Sequence, residues 1–162
     1  VLSNLTCLFG DQFVPKTHPR IVFRGLIDRL EAECTLCAAL CTDAFVCASL
    51  HDILGILADI MRAEVLEKPL PSCDRYLVGG RPLDELHALS HDPPGGHRLI
   101  DESVGECCAR LNLFRTDIRR AELGAIEFLP ERHDIHDTLN ALSGAAYVLF
   151  CQMRESQSGG AI

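Results

Sequence analysis

The sequence predicts an all-α fold, an up-down five-helix bundle of four long helices and one short one. Three observations predict it. Apolar residues recur at helical spacing through four long segments, the breaks between them are marked by Pro and Gly, and no alternating strand pattern or internal repeat is visible. Such amphipathic segments bury their stripes by packing against one another.

Residues 1–17 carry Gly10 and Pro15 without a sustained period, and read as an extended N-terminal segment. Pro19 suits the first position of a helix, with Thr17 or His18 at the cap. Ile21, Leu26, Leu30, Cys34, Cys37 and Cys41 then recur at helical spacing to about residue 44. A second helix is expected over about 46–66, with Leu50, Ile53, Leu54, Leu57, Ile60 and Met61 as its stripe. Residues 67–81, with Pro69, Pro71 and Gly79-Gly80, form a loop. A short helix over about 82–90 carries Leu83, Leu86 and Leu89, and His91-Asp-Pro-Pro-Gly-Gly96 breaks the chain again. A long helix over about 103–129 stops at Pro130, and the last runs from about 133 to 154. The bundle domain is thus 18–154, and the Ser/Gly-rich 155–162 is expected to be a disordered tail.

At 162 residues the chain has single-domain length. A formal charge of −8 opposes a nucleic-acid surface, which needs a basic face. No uninterrupted apolar run reaches the roughly 18 residues of a membrane span, and no signal peptide is visible, so neither nucleic acid nor membrane is an expected partner. The opening at Val1 without Met suggests a processed or engineered start. Nine cysteines, an odd number, lie within helical segments, which favours buried thiols in a reducing cytoplasm over a disulfide framework.

The most charged stretch of the long helix is Arg115-Thr-Asp-Ile-Arg119-Arg120-Ala-Glu122. Arg115, Arg119 and Glu122 share one face at i, i+4 and i+7. Two guanidinium forks suit phosphate oxygens; the plainer alternative is a solvated face of Arg–Glu pairs. Asp28 and Glu31 make an acidic step on the first helix, able to meet these arginines across the bundle or a subunit boundary, or simply surface charges. Asn140, Ser143 and Tyr147 draw a polar line along the last, otherwise apolar helix, and Asn is a poor helix-interior residue. Cys34, Cys37 and Cys41 form one stripe, read either as core thiols or, with His51, as a soft-metal site. His87, His91 and His97 flank the Pro/Gly break, as a pocket wall or as solvated loop residues.

These residues carry a resemblance. Thr6-Cys-Leu-Phe-Gly10, Val14-Pro-Lys16-Thr-His18-Pro19-Arg20 and Gly25-Leu-Ile-Asp28-Arg-Leu resemble the N-terminal region of propanediol-utilisation (PduO) type corrinoid adenosyltransferases, T-S-L-F-G, V-x-K-x-H-P-R and G-x-x-D-E-L. Arg115-Thr-x-x-Arg119-Arg120-Ala-Glu122 and Leu139-Asn140-x-Leu142-Ser143 are similar to that type's R-T-x-x-R-R-A-E and N-x-L-S. The middle looks more like the ethanolamine-utilisation (EutT) type, in Ile60-Met-Arg-Ala-Glu64-Val-Leu-x-Lys-Pro69-Leu70, Asp84-Glu-Leu-His87-x-Leu-Ser90-His91, and Leu139-Asn-Ala-Leu-Ser143 followed by Tyr147. The matches cover about residues 6–150 in order, with the EutT type preferred and PduO close behind.

The resemblance implies a homotrimer of five-helix bundles, with ATP and cobalamin held between subunits. Lys16, Arg119, Glu122 and Asn140 would bind ATP, with Arg119 and Glu122 catalytic, and Asp28 and Arg115 would form an intersubunit salt bridge. His91 and Tyr147 would be corrinoid-binding. The implied reaction is transfer of the 5′-deoxyadenosyl group of ATP to Co(I), with Mg2+ on the phosphates. A cobalamin reductase and an adenosylcobalamin-dependent acceptor enzyme are implied partners, in the cytoplasm or a bacterial microcompartment. Three departures stand out. The T-G-D-x-G phosphate loop that precedes the first match in the PduO type is not in this sequence, nor is a Cys/His metal cluster upstream of Cys7. His91 stands where the PduO type has the aromatic residue that displaces cobalamin's lower ligand. The competing expectations are a non-catalytic corrinoid- or nucleotide-binding bundle and a cysteine-based metal or redox sensor.

Overall fold

In the computed structural model, residues 3–158 are described. Two helices of 22 residues, α1 (Pro19–Leu40) and α2 (Ala44–Val65), form an antiparallel pair. His18 caps α1 through its ring Nδ1, which accepts from Arg20 N at 3.3 Å, and Pro19 opens the helix where no N–H is needed. At Cys41 the backbone turns extended, and the Asp43 carboxylate accepts from Val46 N at 2.9 Å to start α2. After α3 (Leu83–Leu89) come α4 (Gly105–Phe128) and α5 (His133–Ser158). Helix α1 packs between α2 and α4, and α5 packs between α4 and α3. Contacts run in opposite senses along each packed pair: Arg20 with Glu64 and Cys34 with Leu50 for α1–α2, Leu26 beside Gly124 and Arg29 with Asp117 for α1–α4, Ala125 with His136 and Cys108 with Phe150 for α4–α5. The helices therefore alternate up and down, as the sequence predicts.

The core is aliphatic, with Phe23, Phe114 and Phe150 as its largest fully buried side chains. Close approach is secured by glycine. A Cβ on Gly124 would come within 2.5 Å of Leu26 Cδ1, where α1 meets α4. One on Gly144 would come within 2.9 Å of His87 Nδ1, where α3 lies on α5.

Three sequence expectations need correction. The N-terminal segment is a hairpin, β1 (Leu5–Phe9) antiparallel to β2 (Gln12–Pro15), and the 67–81 loop contains a second small ladder, β3 (Leu77–Val78) with β4 (Arg81–Pro82). Strands this short carry too few residues to display a period; Gly79-Gly80, both at positive φ, supply the two-residue turn of the second. Helix α5 runs to Ser158 instead of ending near 154, because Met153 and Arg154 are still buried; residues 159–162 lie outside the described part. Finally, Ala44–Val65 is long and apolar enough to cross a membrane by length and composition, contrary to the reading of the sequence. Here it is a bundle helix that buries Leu50, Ile53, Leu57 and Ile60, together with a charged residue, Glu64.

Glu64 is 1% exposed and ion-paired to both Arg20 and Arg24, one turn apart on α1. Arg20 also donates to the Glu64 carbonyl at 2.8 Å and pairs with Glu67, while Arg24 Nη1 donates to Leu8 O of the hairpin at 2.8 Å. Three elements thus meet on one carboxylate. Removing a single partner from such a buried group leaves charge unpaired. Glu64→Ala should therefore lower unfolding free energy by about 3 kcal/mol or more, read by urea denaturation. A loss below about 1 kcal/mol would mean the arginines find water or other partners.

Candidate active site

The two outward faces of α4 and α5 build the site. On α4, Arg115 is half-buried and Arg119 and Arg120 are exposed. Among the described residues no ion pair engages any of the three, although ten ion pairs form elsewhere. The Arg–Glu paired surface is thus not what forms. Arg115 Nε donates instead to Asn112 Oδ1 at 3.1 Å, and its guanidinium lies 5.3 Å from the centroid of the Tyr147 ring on α5. Arg115 and Glu122 are seven residues apart on α4, and Tyr147 and Asn140 are seven apart on α5. In antiparallel helices the contact at Arg115–Tyr147 brings Glu122 level with Asn140 two turns on. One carboxylate oxygen of Glu122 is buried with no hydrogen-bond partner among the described residues, a costly state for an acceptor that nothing else satisfies.

Tyr147 also holds the segment between α3 and α4. His97 Nδ1 and Tyr147 Oη are 2.8 Å apart, with the rings stacked at 13°. Burial pushes the phenol up from its ordinary value, with neighbouring Cys151 adding to it, so the hydroxyl keeps its proton, and the imidazole tautomer sets which of the two groups donates. Further along, Arg154 Nη2 donates to Gly96 O at 3.0 Å and Pro94 O at 3.4 Å. His91 is exposed at the head of this segment, its ring 5.3 Å from that of His87 in an edge-on arrangement. The histidine-rich break is therefore a tethered wall.

The other expected residues lie apart within this chain. Lys16 is exposed just past β2, its amide bonded to Asn4 O at 2.9 Å. Asp28 is exposed on α1. Its neighbour Glu31 is pushed up by burial and then by Asp28. Arg29 bridges Glu33 and Asp117, at 2.7 and 2.8 Å, so the acids of α1 meet α4 through a residue the sequence reading passed over. Arg154, buried deep in the last helix, was likewise missed; an arginine where a Ser/Gly tail begins was the available signal.

A recess of about 530 Å3 lies at the end of the bundle where α4 turns into α5, beside Arg20, Glu64, Lys68 and Arg132. Arg20 there pairs with Glu64 and Glu67, and Arg132 with Asp134. Asp134 is held down to about 2, chiefly by its hydrogen bond from Arg132. It lies away from the α4–α5 face.

The cysteine alternative fares poorly. Burial pushes Cys34 up to about 12 and Cys37 up to about 11, so neither is a ready thiolate. Cys34 spends its S–H on Leu50 O, and among the described residues no three His, Cys, Asp or Glu side chains converge to hold a metal. All nine cysteines are free.

The geometry can now be compared with known proteins. The sequence model of the cobalamin adenosyltransferase family matches residues 3–153. The chain belongs to that family. It is 35% identical to corrinoid adenosyltransferase EutT of Salmonella typhimurium, over 91% of this chain and 57% of that protein, and 33% identical to EutT of Escherichia coli over the same shares. Against corrinoid adenosyltransferase PduO of Citrobacter freundii it is 29% identical, over 91% of this chain and 46% of that one. The family member is thus nearer the EutT type, with PduO close, and spans about half the length of the curated relatives it matches. Its fold is that of a PduO-type ATP:corrinoid adenosyltransferase from Lactobacillus reuteri complexed with ATP, with a TM-score of 0.70 at 18% identity, covering 96% and 91% of the two chains. A phenylalanine-to-histidine variant of the same enzyme, complexed with cobalamin and ATP, gives 0.69 at 19% identity over 94% and 88%.

If the thiols are core residues, native protein should react with a disulfide reagent at exposed Cys7 first. Cys34, Cys37, Cys108 and Cys151 should react only on unfolding. Fast labelling of Cys34 or Cys37 in the folded state would revive the sensor reading.

Proposed function

We propose that this chain is an ATP:cob(I)alamin adenosyltransferase, an enzyme that moves the 5′-deoxyadenosyl group of ATP onto Co(I) of a corrinoid and releases triphosphate. One observation carries the reading: a family member over residues 3–153 keeps two guanidinium groups free of ion pairs on one face of α4, Arg119 open to solvent. A helix that forgoes nearby acids there is suited to bind an anion of higher charge.

In this reading Arg119 donates to the triphosphate, with Lys16 from the hairpin of an adjacent subunit. Glu122, with its unsatisfied oxygen, and Asn140 opposite it hold the nucleoside. The Co(I) electron pair forms the Co–C bond at the 5′ carbon as the C–O bond breaks, and that pair departs on the triphosphate. Arg119 stabilises the leaving charge, and Glu122 and Asn140 fix the carbon in line. Mg2+ would be carried mainly by phosphate oxygens, since no protein side chains converge for it among the described residues.

His91, on the tethered segment, and Tyr147, on α5, face the corrinoid. The histidine variant of the Lactobacillus reuteri enzyme, complexed with cobalamin and ATP, supports a role for an imidazole beside these ligands. We assign the assembled state as a homotrimer. Outward apolar residues support it, Val22 and Leu36 on α1 and Leu123 and Ile126 on α4, as does exposed Asp28, free to reach a neighbour's Arg115. A cobalamin reductase and an adenosylcobalamin-dependent acceptor complete the expected partners. Nine free thiols suit a reducing cytoplasm or a microcompartment within it.

The deciding assay is anaerobic loss of Co(I) absorbance with reduced cobalamin and ATP. Wild-type protein should consume Co(I) only when ATP is present and yield a light-sensitive product; binding without turnover would favour a non-catalytic module. Arg119→Ala should lower kcat/KM for ATP about 100-fold or more with an unchanged melting temperature. Unaltered kinetics would remove Arg119 from the site. Asp28→Ala should shift the trimer towards monomer in light scattering while helical content holds; a trimeric, active variant would sink the interface assignment.

A further inference from the structure

The segment from Ser90 to Val104 hangs between α3 and α4, and it carries His91. It has little secondary structure of its own, a turn at Gly95-Gly96 with both residues at positive φ and a short 3-10 turn at Glu102–Val104. Its position is therefore set by side chains that reach it from α5. Arg154 grips its backbone at Pro94 and Gly96, and these bonds lie near the end of the bundle where α5 finishes. The His97–Tyr147 bond is different in kind. It joins a side chain of the segment itself to a ring of α5 that also lies against Arg115 of α4. A displacement of His97 would thus be felt at the Tyr147 ring.

We infer that His97 is a positioning residue for corrinoid binding, which by its hydrogen bond with the Tyr147 hydroxyl fixes the segment bearing His91 over the α4–α5 face. The inference rests on the adenosyltransferase reading for the identity of the ligand. His97 need not touch the corrinoid; it acts through the segment. The bond is directional, at 2.8 Å and with near-parallel rings, so it fixes both the height of the segment and its rotation. One neutral hydrogen bond of this kind is worth about tenfold in an equilibrium constant at the upper end of its usual range.

The test is equilibrium binding of cob(II)alamin in the presence of ATP, followed by visible absorbance, for wild type, His97→Ala, Tyr147→Phe, the double variant and His97→Asn. Tyr147→Phe keeps the ring and removes only the hydroxyl. The inference expects each of the first two to raise the Kd for the corrinoid about tenfold, with the Kd for ATP within about twofold. The double variant should be no weaker than either single, since both remove one interaction. His97→Asn, whose side-chain oxygen can stand in for Nδ1, should recover most of the affinity. Unchanged corrinoid binding in His97→Ala, additive losses in the double variant, or equal weakening of both ligands with no rescue by Asn would each overturn it. The parallel Co(I) assay on wild type separates the two ideas. Wild type that binds cob(II)alamin but never turns over would refute the enzyme reading while the Kd series still decides the role of His97.

Discussion

The carboxylate of Glu64 sits where three pieces of chain must agree. Two arginines one turn apart on α1 close on it, one of them reaching on to the hairpin carbonyl of Leu8 and the other to Glu67 in the turn after α2. Burying such a group is not in itself strongly stabilising, because desolvation offsets much of the attraction. Its value is in registration. An apolar seam between α1 and α2 would tolerate sliding by a turn, whereas a buried acid with two fixed partners does not. The hairpin leads directly into Lys16, so the position of that lysine relative to the bundle descends from the same ion pairs.

At the other side of the molecule charge is handled in the opposite way. Arg29, Arg62, Arg110 and Arg132 all meet acids within the chain, and Arg115, Arg119 and Arg120 do not. Arg115 is held by an amide oxygen and an aromatic face, contacts that orient a guanidinium without neutralising it. Among the described residues these three guanidinium groups stay outside the ion pairs, in a chain whose formal charge is −8. That contrast directs an anion to one strip of surface.

Much of this was legible in the sequence, for identifiable reasons. The long helices announced themselves because a 22-residue amphipathic helix repeats its signal over six turns, and Pro19 and Pro130 punctuate them. The hairpins were not legible, since their pairing depends on partners such as Arg24 that lie elsewhere in the chain. The end of α5 was misjudged because its last turns are held by non-local contacts, Arg154 with the Pro/Gly segment, while its local composition looks like a tail. Seven-residue spacing puts Arg115 and Glu122 on one line of α4, and Asn140 and Tyr147 on one line of α5. Spacing within one helix could not reveal that the two lines face each other, nor that His97 crosses fifty positions of sequence to meet Tyr147.

The chain has no tryptophan, and its only tyrosines are Tyr76 and Tyr147. Ultraviolet emission from the folded protein therefore comes from two rings, one of them lying beneath a guanidinium and bonded to an imidazole. Both neighbours are effective at altering phenol emission, and a corrin arriving nearby would absorb it. The molecule accordingly carries an intrinsic optical reporter at the junction of α4 and α5, and silencing Tyr76 by substitution with Phe would leave a signal from that junction alone.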